Sequence, residues 1–286
     1  MSPQLLAWLT ALSFAASNVS VRRGFAHSTP LTATFVSLLV HTVVLWTVLL
    51  TTTGIPEPNW TALAAIGLTG LIQPAMRHCH YTGIHKIGTG RAVTLRNTYP
   101  IFTVAVGILV LGEPATAAGL IGTALIIVGV VLTSWRIDQH LPAFRWSYLL
   151  YPFATVLLTA LVHPLRRFAL TQSHEPLFFT AVIGPISLLA FGVYYALPIC
   201  GEKLVWDRRA VKPILLSGAF ETLAVLLMLF AFSRGPVVVV SPITATAPIW
   251  TVILAAIFLR EFEHVTPASV LGTICVVAGV IAVSLA

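Results

Sequence analysis

Charge is what this chain has least of. Only 9% of its 286 residues are Asp, Glu, Lys or Arg, against about a quarter in a typical soluble domain. With 57% of residues apolar, most side chains have no reason to face water. A soluble globular domain is thereby excluded, and the chain reads as an integral membrane protein. Cysteine is equally scarce. Cys79, Cys200 and Cys275 are scattered and lack CxxC or Cys/His spacing, so neither a disulfide framework nor a structural metal follows, and they read as small apolar fillers. There is no Walker A motif, dinucleotide fingerprint, nucleophile elbow or HExxH. ATP-driven transport and the common hydrolytic chemistries have no visible machinery, and no cofactor is implied. Long polar segments are missing too: the largest, 136–145 and 199–212, are too short to fold as domains.

The formal net charge of +7 would suggest nucleic acid in a soluble protein. Here the cations lie mostly between apolar runs, where anionic headgroups attract them; membrane lipids are the expected partner and nucleic acid is set aside. The first apolar run, Leu5 to Val21, has no basic segment before it and no cleavage site after it, so it reads as a retained helix.

A bilayer core needs about 20 mostly apolar residues per helix. Cutting the chain where charge, Pro and Gly cluster yields about ten spans, near 4–21, 31–51, 60–82, 88–110, 115–135, 146–167, 176–197, 212–233, 236–259 and 265–285. The runs are long and continuous, without the alternation of an outer-membrane barrel.

The second half repeats the first. Pro100, an apolar run, Gly112-Glu113-Pro114, Leu120-Ile121-Gly122-Thr123 and Val128-Gly129-Val130 are answered by Pro248, an apolar run, Arg260-Glu261, Val270-Leu271-Gly272-Thr273 and Ala278-Gly279-Val280. Arg22-Arg23 before Pro30 is answered by Arg166-Arg167 before Pro176. The expected organisation is one all-α membrane unit of two five-helix repeats, 1–138 and 139–286. Five is odd, so the second copy enters the membrane upside down, and an inverted repeat places a site at the interface of the halves.

Charge also bears on orientation. The side opposite the termini collects Arg22, Arg23, Lys86, Arg136, Arg145, Lys203, Arg208, Arg209, Lys212 and Arg260; the termini's side collects Arg166, Arg167 and Arg234. The positive-inside rule then puts the termini outside.

Ionisable residues inside spans are the candidates for function. Glu221 lies about 12 Å into the eighth span at 1.5 Å per residue. Arg96 sits near the middle of the fourth, followed by Asn97, Tyr99 and Pro100, whose missing N–H frees a carbonyl. Two readings stand: Arg96 binds an anionic group while Glu221 binds an amine or exchanges a proton, or the two form a structural ion pair. In the third span Gln73, Arg77 and His80 share a helix face at i, i+4 and i+7. Arg77, His78, His80, His85, Lys86 and Arg91 form a cationic collar near Gly83 to Gly90, either a pathway or cations reaching headgroups. Asn18 and His163, in the first and sixth spans, line a cavity or are satisfied buried polar residues. Trp250 is a weaker candidate. Ser241-Pro242, Thr244, Thr246 and Pro248 predict a kinked, polar-faced ninth span.

Ten spans, two five-helix repeats, and fourth and ninth spans ending in Leu111-Gly112-Glu113-Pro114 and Leu259-Arg260-Glu261, each followed by a Gly-Thr-rich helix, resemble the drug/metabolite transporter superfamily in its EamA-like branch of bacterial exporters and permeases. The resemblance covers essentially the whole chain. It implies a basket-like bundle in the bacterial inner membrane, with a central cavity between the first, third, fourth, sixth, eighth and ninth spans, and cytoplasmic termini, against the charge count. Related branches carry phosphorylated metabolites, nucleotide sugars or lipid-linked phosphates, for which basic cavities suit because Arg matches phosphate bidentately.

The expected function is secondary active transport of a small polar, anionic or zwitterionic metabolite by alternating access, by a monomer or dimer. Arg96, Arg77 and Arg91 would hold the anionic group with Gln73, Asn97, Asn18 and His80; Glu221 and His163 would couple protons or bind an amine; Tyr99 and Trp250 would shape the pocket. The alternatives are a flippase for a lipid-linked phosphate such as a polyprenyl phosphate, favoured by a lateral opening, and a membrane enzyme using His78, His80 and Glu221 as acid and base.

Overall fold

The computed structural model describes residues 1–134, 145–196, 203–259 and 267–285. Among them the chain is helical throughout: α1 Pro3–Gly24, α2 Pro30–Thr52, α3 Trp60–Ile87, α4 Thr89–Arg96, α5 Pro100–Leu109, α6 Ala117–Ser134, α7 Leu150–Gln172 after a short 3-10 turn at Trp146–Leu149, α8 Pro176–Ala196, α9 Arg208–Arg234, α10 Val237–Thr244, α11 Ala247–Leu259 and α12 Pro267–Leu285. Local sequence sets the starts. Ser2, Thr29, Asn59 and Asp207 accept a hydrogen bond from a backbone N–H of the first turn of α1, α2, α3 and α9, and Pro3, Pro30 and Pro100 occupy first helical positions where no N–H is missed.

Among the described residues, seven stretches are long and apolar enough to cross a membrane: 3–24, 30–52, 91–109, 146–172, 176–196, 208–234 and 237–255. Ala117–Leu132 and Leu271–Leu285 are apolar but shorter. Large apolar side chains such as Leu50, Leu71, Leu109, Leu189, Ile257 and Ile274 are exposed, while Ser, Thr, Arg and His side chains fill much of the interior. That inverts the soluble arrangement and fits an apolar solvent.

Two expected spans are broken helices. The fourth is α4 and α5, interrupted at Asn97–Tyr99; the ninth is α10 and α11, interrupted at Ala245–Thr246. At each break 3-10-type bonds replace the regular ladder, Tyr99 N–H to Arg96 O at 3.2 Å and Thr246 N–H to Ile243 O at 3.1 Å, and Pro100 contributes no N–H.

The described pairings stay the same when the halves are exchanged. α1 packs on α9, α10 and α11 as α7 packs on α3, α4 and α5; α2 lies on α9 as α8 lies on α3; α2 meets α8, and α6 meets α12. α6 and α12 run antiparallel with backbones nearly touching. A Cβ at Gly122 would stand 2.7 Å from Gly279 O, and one at Gly129 2.5 Å from Gly272 O. Only glycine admits that approach, which is why the Gly-Thr and Gly-Val signatures recur in both halves.

Several expected boundaries move. α3 runs to Ile87 and α7 to Gln172, so Arg166 is not on a connection: it is buried inside α7. Removing it leaves Arg167 and Arg234 as cations at the termini's end, and Arg167 is neutralised by Glu113 at 3.4 Å. The charge asymmetry between the ends is therefore larger than the sequence count suggests. Arg136, Cys200, Arg260, Glu261 and the expected repeat boundary at 138/139 lie outside the described residues. Cys79 and Cys275 are free.

Gly122→Ala and Gly279→Ala, which each place a methyl within 3 Å of a backbone oxygen, are expected to lower the thermal stability of detergent-purified protein by the equivalent of about 1–3 kcal/mol. Gly192→Ala has nothing within 4 Å and should be neutral or slightly stabilising. Equal melting temperatures for all three would overturn the close α6–α12 contact.

Candidate functional site

The polar side chains of the interior converge between α1, α2, α3, α4, α7, α9 and α10. At one level Arg77 of α3 faces Glu221 of α9, Nε to Oε1 3.6 Å, with side chains 1% and 6% exposed. Arg77 Nη1 donates to Ser37 Oγ of α2 at 3.0 Å. Ser17 of α1 donates to Glu221 Oε2 at 3.2 Å and shares a 2.9 Å hydrogen bond with Ser217, one helical turn before Glu221. Of the two readings of Arg96 and Glu221, the structural ion pair between them is not formed, since Glu221 faces Arg77.

Arg96 takes other partners. Its Nη1 lies 3.2 Å from His80 Nε2 and its guanidinium 5.1 Å from the Phe14 ring centroid, a cation–π geometry. Arg96 can only donate and Asn18 Oδ1 can only accept, so His80 Nε2, 2.9 Å from that oxygen, either accepts from Arg96 or donates to Asn18, not both. Arg166 donates to Gln73 Oε1 at 2.9 Å.

The two helix breaks meet here. Tyr99, at the α4–α5 break, donates to Ser241 O at 3.1 Å and lies 2.6 Å from Thr244 Oγ1, both on α10. His163 of α7 stacks edge-on against Tyr99 at 4.8 Å and contacts Ser241 Oγ at 3.3 Å. Discontinuous helices in corresponding positions of two repeats are where transporter sites are built.

The centre has more donors than acceptors. Three buried guanidiniums, Arg77, Arg96 and Arg166, face one buried carboxylate. Asn18 Nδ2, Gln73 Nε2, Arg77 Nε and Nη2, Arg96 Nε and Arg166 Nε are buried without a hydrogen-bond partner, and every such orphan among the described side chains is a nitrogen. A ligand that supplies oxygen acceptors and negative charge would complete this site.

Seen against known proteins, the EamA-like transporter family model matches residues 1–135 and again 146–285. The chain belongs to the EamA-like transporter family. This EamA-like transporter is accordingly a multi-pass integral membrane protein of the drug/metabolite transporter type. No curated protein matches the chain. Among solved structures 29 chains match; one, described only as a crystal structure of a protein, aligns with a TM-score of 0.78 at 16% identity over 99% of each chain, a likeness of fold alone.

In this EamA-like chain, the structure brings Asn18, Gln73, Arg77, His80, Arg96, Tyr99, His163 and Glu221 together. Asn97 turns its amide back to Val93 O at 2.6 Å. Arg91 is half-buried at the start of α4, and Trp250 packs edge-on against Trp8 at 5.7 Å. Sequence reasoning missed Arg166 as a site residue, along with Ser17, Ser37 and Ser217. The signal for Arg166 was its place three residues after His163, on the same helix face. Serines in apolar runs carry no such mark, although Ser217 precedes Glu221 by one turn.

Tyr99→Phe removes the hydroxyl that joins the two breaks. It is expected to lower thermal stability by about 1–2 kcal/mol in detergent melts, whereas Tyr195→Phe, on an exposed side chain, should leave the melt unchanged. An unchanged melt for Tyr99→Phe would show that the breaks are held without this bond.

Proposed function

We propose that this protein is a secondary transporter of ten spans in two inverted halves, which binds a small anionic or zwitterionic solute at the buried arginine cluster and passes it by alternating access. Counting α3, α6 and α12 with the seven apolar stretches gives ten. The antiparallel run of α6 against α12 and the exchange symmetry of the packing support inversion. The observation that carries the anionic reading is the donor surplus: six orphaned N–H groups around three guanidiniums and one carboxylate. Burying unpaired charge costs several kcal/mol per ion, a cost that an oxyanion offsets. Arg96, Arg166 and Arg77 would bind it, with Gln73 and Asn18 donating from the sides. An acid–base role for His78, His80 and Glu221 gains no support from the geometry, since His80 faces Asn18 and Arg96 while Glu221 faces Arg77.

A lipid-linked phosphate is the second reading. A recess of about 270 Å³ lined by Leu95, Thr98, Trp146, Leu149, Leu150, Phe153 and Val156 opens beside the α4–α5 break, and Lys86 stands over the neighbouring Tyr148 ring at 5.7 Å. An apolar chain in that recess would leave its phosphate near Thr98 and the cationic end.

A thermal-shift screen of detergent-purified protein against amino acids, sugar phosphates, nucleotide sugars and short-chain polyprenyl phosphates separates these readings. One anionic class is expected to stabilise the native protein, by about 2.7 kcal/mol at a hundredfold excess over Kd, and to lose that effect in Arg96→Ala. Stabilisation by polyprenyl phosphates alone selects the lipid reading. Amino acids or neutral solutes shifting native and Arg96→Ala protein equally, with no response to anions, would reduce the arginines to structural cations.

A further inference from the structure

Resting on the reading of the cluster as an anion site, we infer that Glu221 and the transported anion compete for Arg77, so that binding of the anion carries a proton onto Glu221 and transport is anion–proton symport.

The guanidinium of Arg77 presents two edges with different partners. Nη1 of Arg77 is committed to Ser37 Oγ. Nε and Nη2 share the opposite edge of the planar group, the fork that an oxyanion bridges with two parallel hydrogen bonds, and neither has a hydrogen-bond partner. Glu221 only leans on that fork: Oε1 stays 3.6 Å from Nε, outside hydrogen-bonding range, while Oε2 is engaged by Ser17. An oxyanion seated on the fork occupies the side from which Glu221 draws its countercharge.

The consequence for protonation has one sign. Ionised Glu221 is held by the positive charge around it, and an anion arriving beside it cancels part of that charge, which favours the protonated carboxyl. The hydroxyls of Ser17 and Ser217 suit both states. Their shared hydrogen bond runs in either direction, so Ser17 can donate to a carboxylate or accept from a carboxyl while the heavy atoms stay in place.

The other charged or titratable groups facing this region are His41 on α2, His80 and Tyr81 with Arg77 on α3, Arg96 on α4, and His163 and Arg166 on α7. α1 brings none before Arg22 and α10 none; α8 has only Tyr194 and Tyr195 near its end, and the remaining charges of α9 lie in its end turns. Glu221 is the one acid among them, so it is the group whose proton uptake neutralises negative charge when an anion enters.

Isothermal titration of detergent-purified, full-length protein with sodium sulfate and sodium methanesulfonate tests this. Both anions stay ionised from acid to mild alkali and bring no proton. Titrations in two buffers of different ionisation enthalpy count protons taken up. In the native protein about one proton should be taken up per anion bound, and wherever that uptake is seen affinity should fall about tenfold per pH unit as pH rises. Glu221→Gln should bind with no proton uptake and no dependence on pH, and Arg77→Lys, a point charge without the fork, should bind at least about tenfold more weakly.

Anion binding without proton uptake would overturn symport and leave the anion site standing. Uptake that persists in Glu221→Gln would overturn it in favour of another group, His80 or His163 being nearest. No binding of either anion to native protein would remove the anion site and this inference with it. Ser17→Ala provides a second variant should Glu221→Gln fail to fold: losing the hydroxyl that donates to ionised Glu221 should move the pH dependence upward, and an unmoved profile would refute the assignment.

Discussion

The Arg77–Glu221 ion pair must be held in a region where water and lipid are both excluded, and in such a place the Coulomb attraction of two charges is offset by the cost of desolvating them. The helices around it are shaped by that demand. Ser17, Ser37 and Ser217 bring hydroxyls to the pair and, being small, let α1, α2 and α9 approach closely. Gly218 continues the contact: a Cβ there would stand 3.1 Å from Ser37 Cα and 3.3 Å from Val40 Cβ. Close backbone approach supplies dispersion contacts where no hydrophobic drive exists between membrane helices. One buried pair thus accounts for why the middle of three apolar helices is lined with serine and glycine.

Backbone groups freed by the two broken helices impose a second constraint, and it is met across the halves. Glu113, between α5 and α6 in the first half, accepts from the N–H groups of Val237 and Val238 at 3.0 and 3.1 Å, capping α10 of the second, and holds Arg167 of α7. Arg167 also reaches the Phe232 carbonyl at the end of α9. A carboxylate at a helix N-terminus satisfies orphan donors and the helix dipole together. At the other end of the molecule Arg23 of α1 donates to the Phe258 carbonyl near the end of α11. Both arginines are the second of the Arg-Arg pairs that mark the repeat, so the duplicated sequence places similar clasps at opposite ends.

What was legible in the chain, and what was not, follows from the range of the forces. Apolar runs reveal where helices lie because exclusion from water acts on each segment by itself. Pro100 and Pro248 likewise announce the breaks locally. The pairing of Glu221 was not legible. Arg77 and Arg96 both lie deep in apolar runs, and only the rotation of α3 about its axis, set by its packing on α7 and α8, decides between them. Arg166 was misplaced for a related reason: a charge within an apolar run reads as its end, whereas α7 continues to Gln172 and turns that side chain inward onto Gln73. The contact between α6 and α12 is a third case: both helices lie where the apolar runs at 115–135 and 265–285 put them, but the hydropathy of neither says which segment its glycines face.

Orphaned donors at the centre run against every rule that the rest of the fold obeys. Elsewhere Ser and Thr hydroxyls bond back to carbonyls of their own helix, as Thr10, Thr34, Thr155 and Thr180 do, and the starts of α1, α2, α3 and α9 are capped by side chains. Six of the unpartnered nitrogens among the described side chains, on Asn18, Gln73, Arg77, Arg96 and Arg166, belong to the region where two broken helices meet, and each of the six is an N–H without an acceptor. Packing alone would have been served better by leucine at positions 96 and 166, because replacing buried ions by apolar side chains is often neutral or stabilising. Departures from local consistency that are clustered, uniform in chemistry and costly to stability mark a site kept for a ligand. On the proposed reading, the chemistry of the departure states what such a ligand would bring: oxygen acceptors, negative charge, and a geometry able to bridge the free edge of a guanidinium.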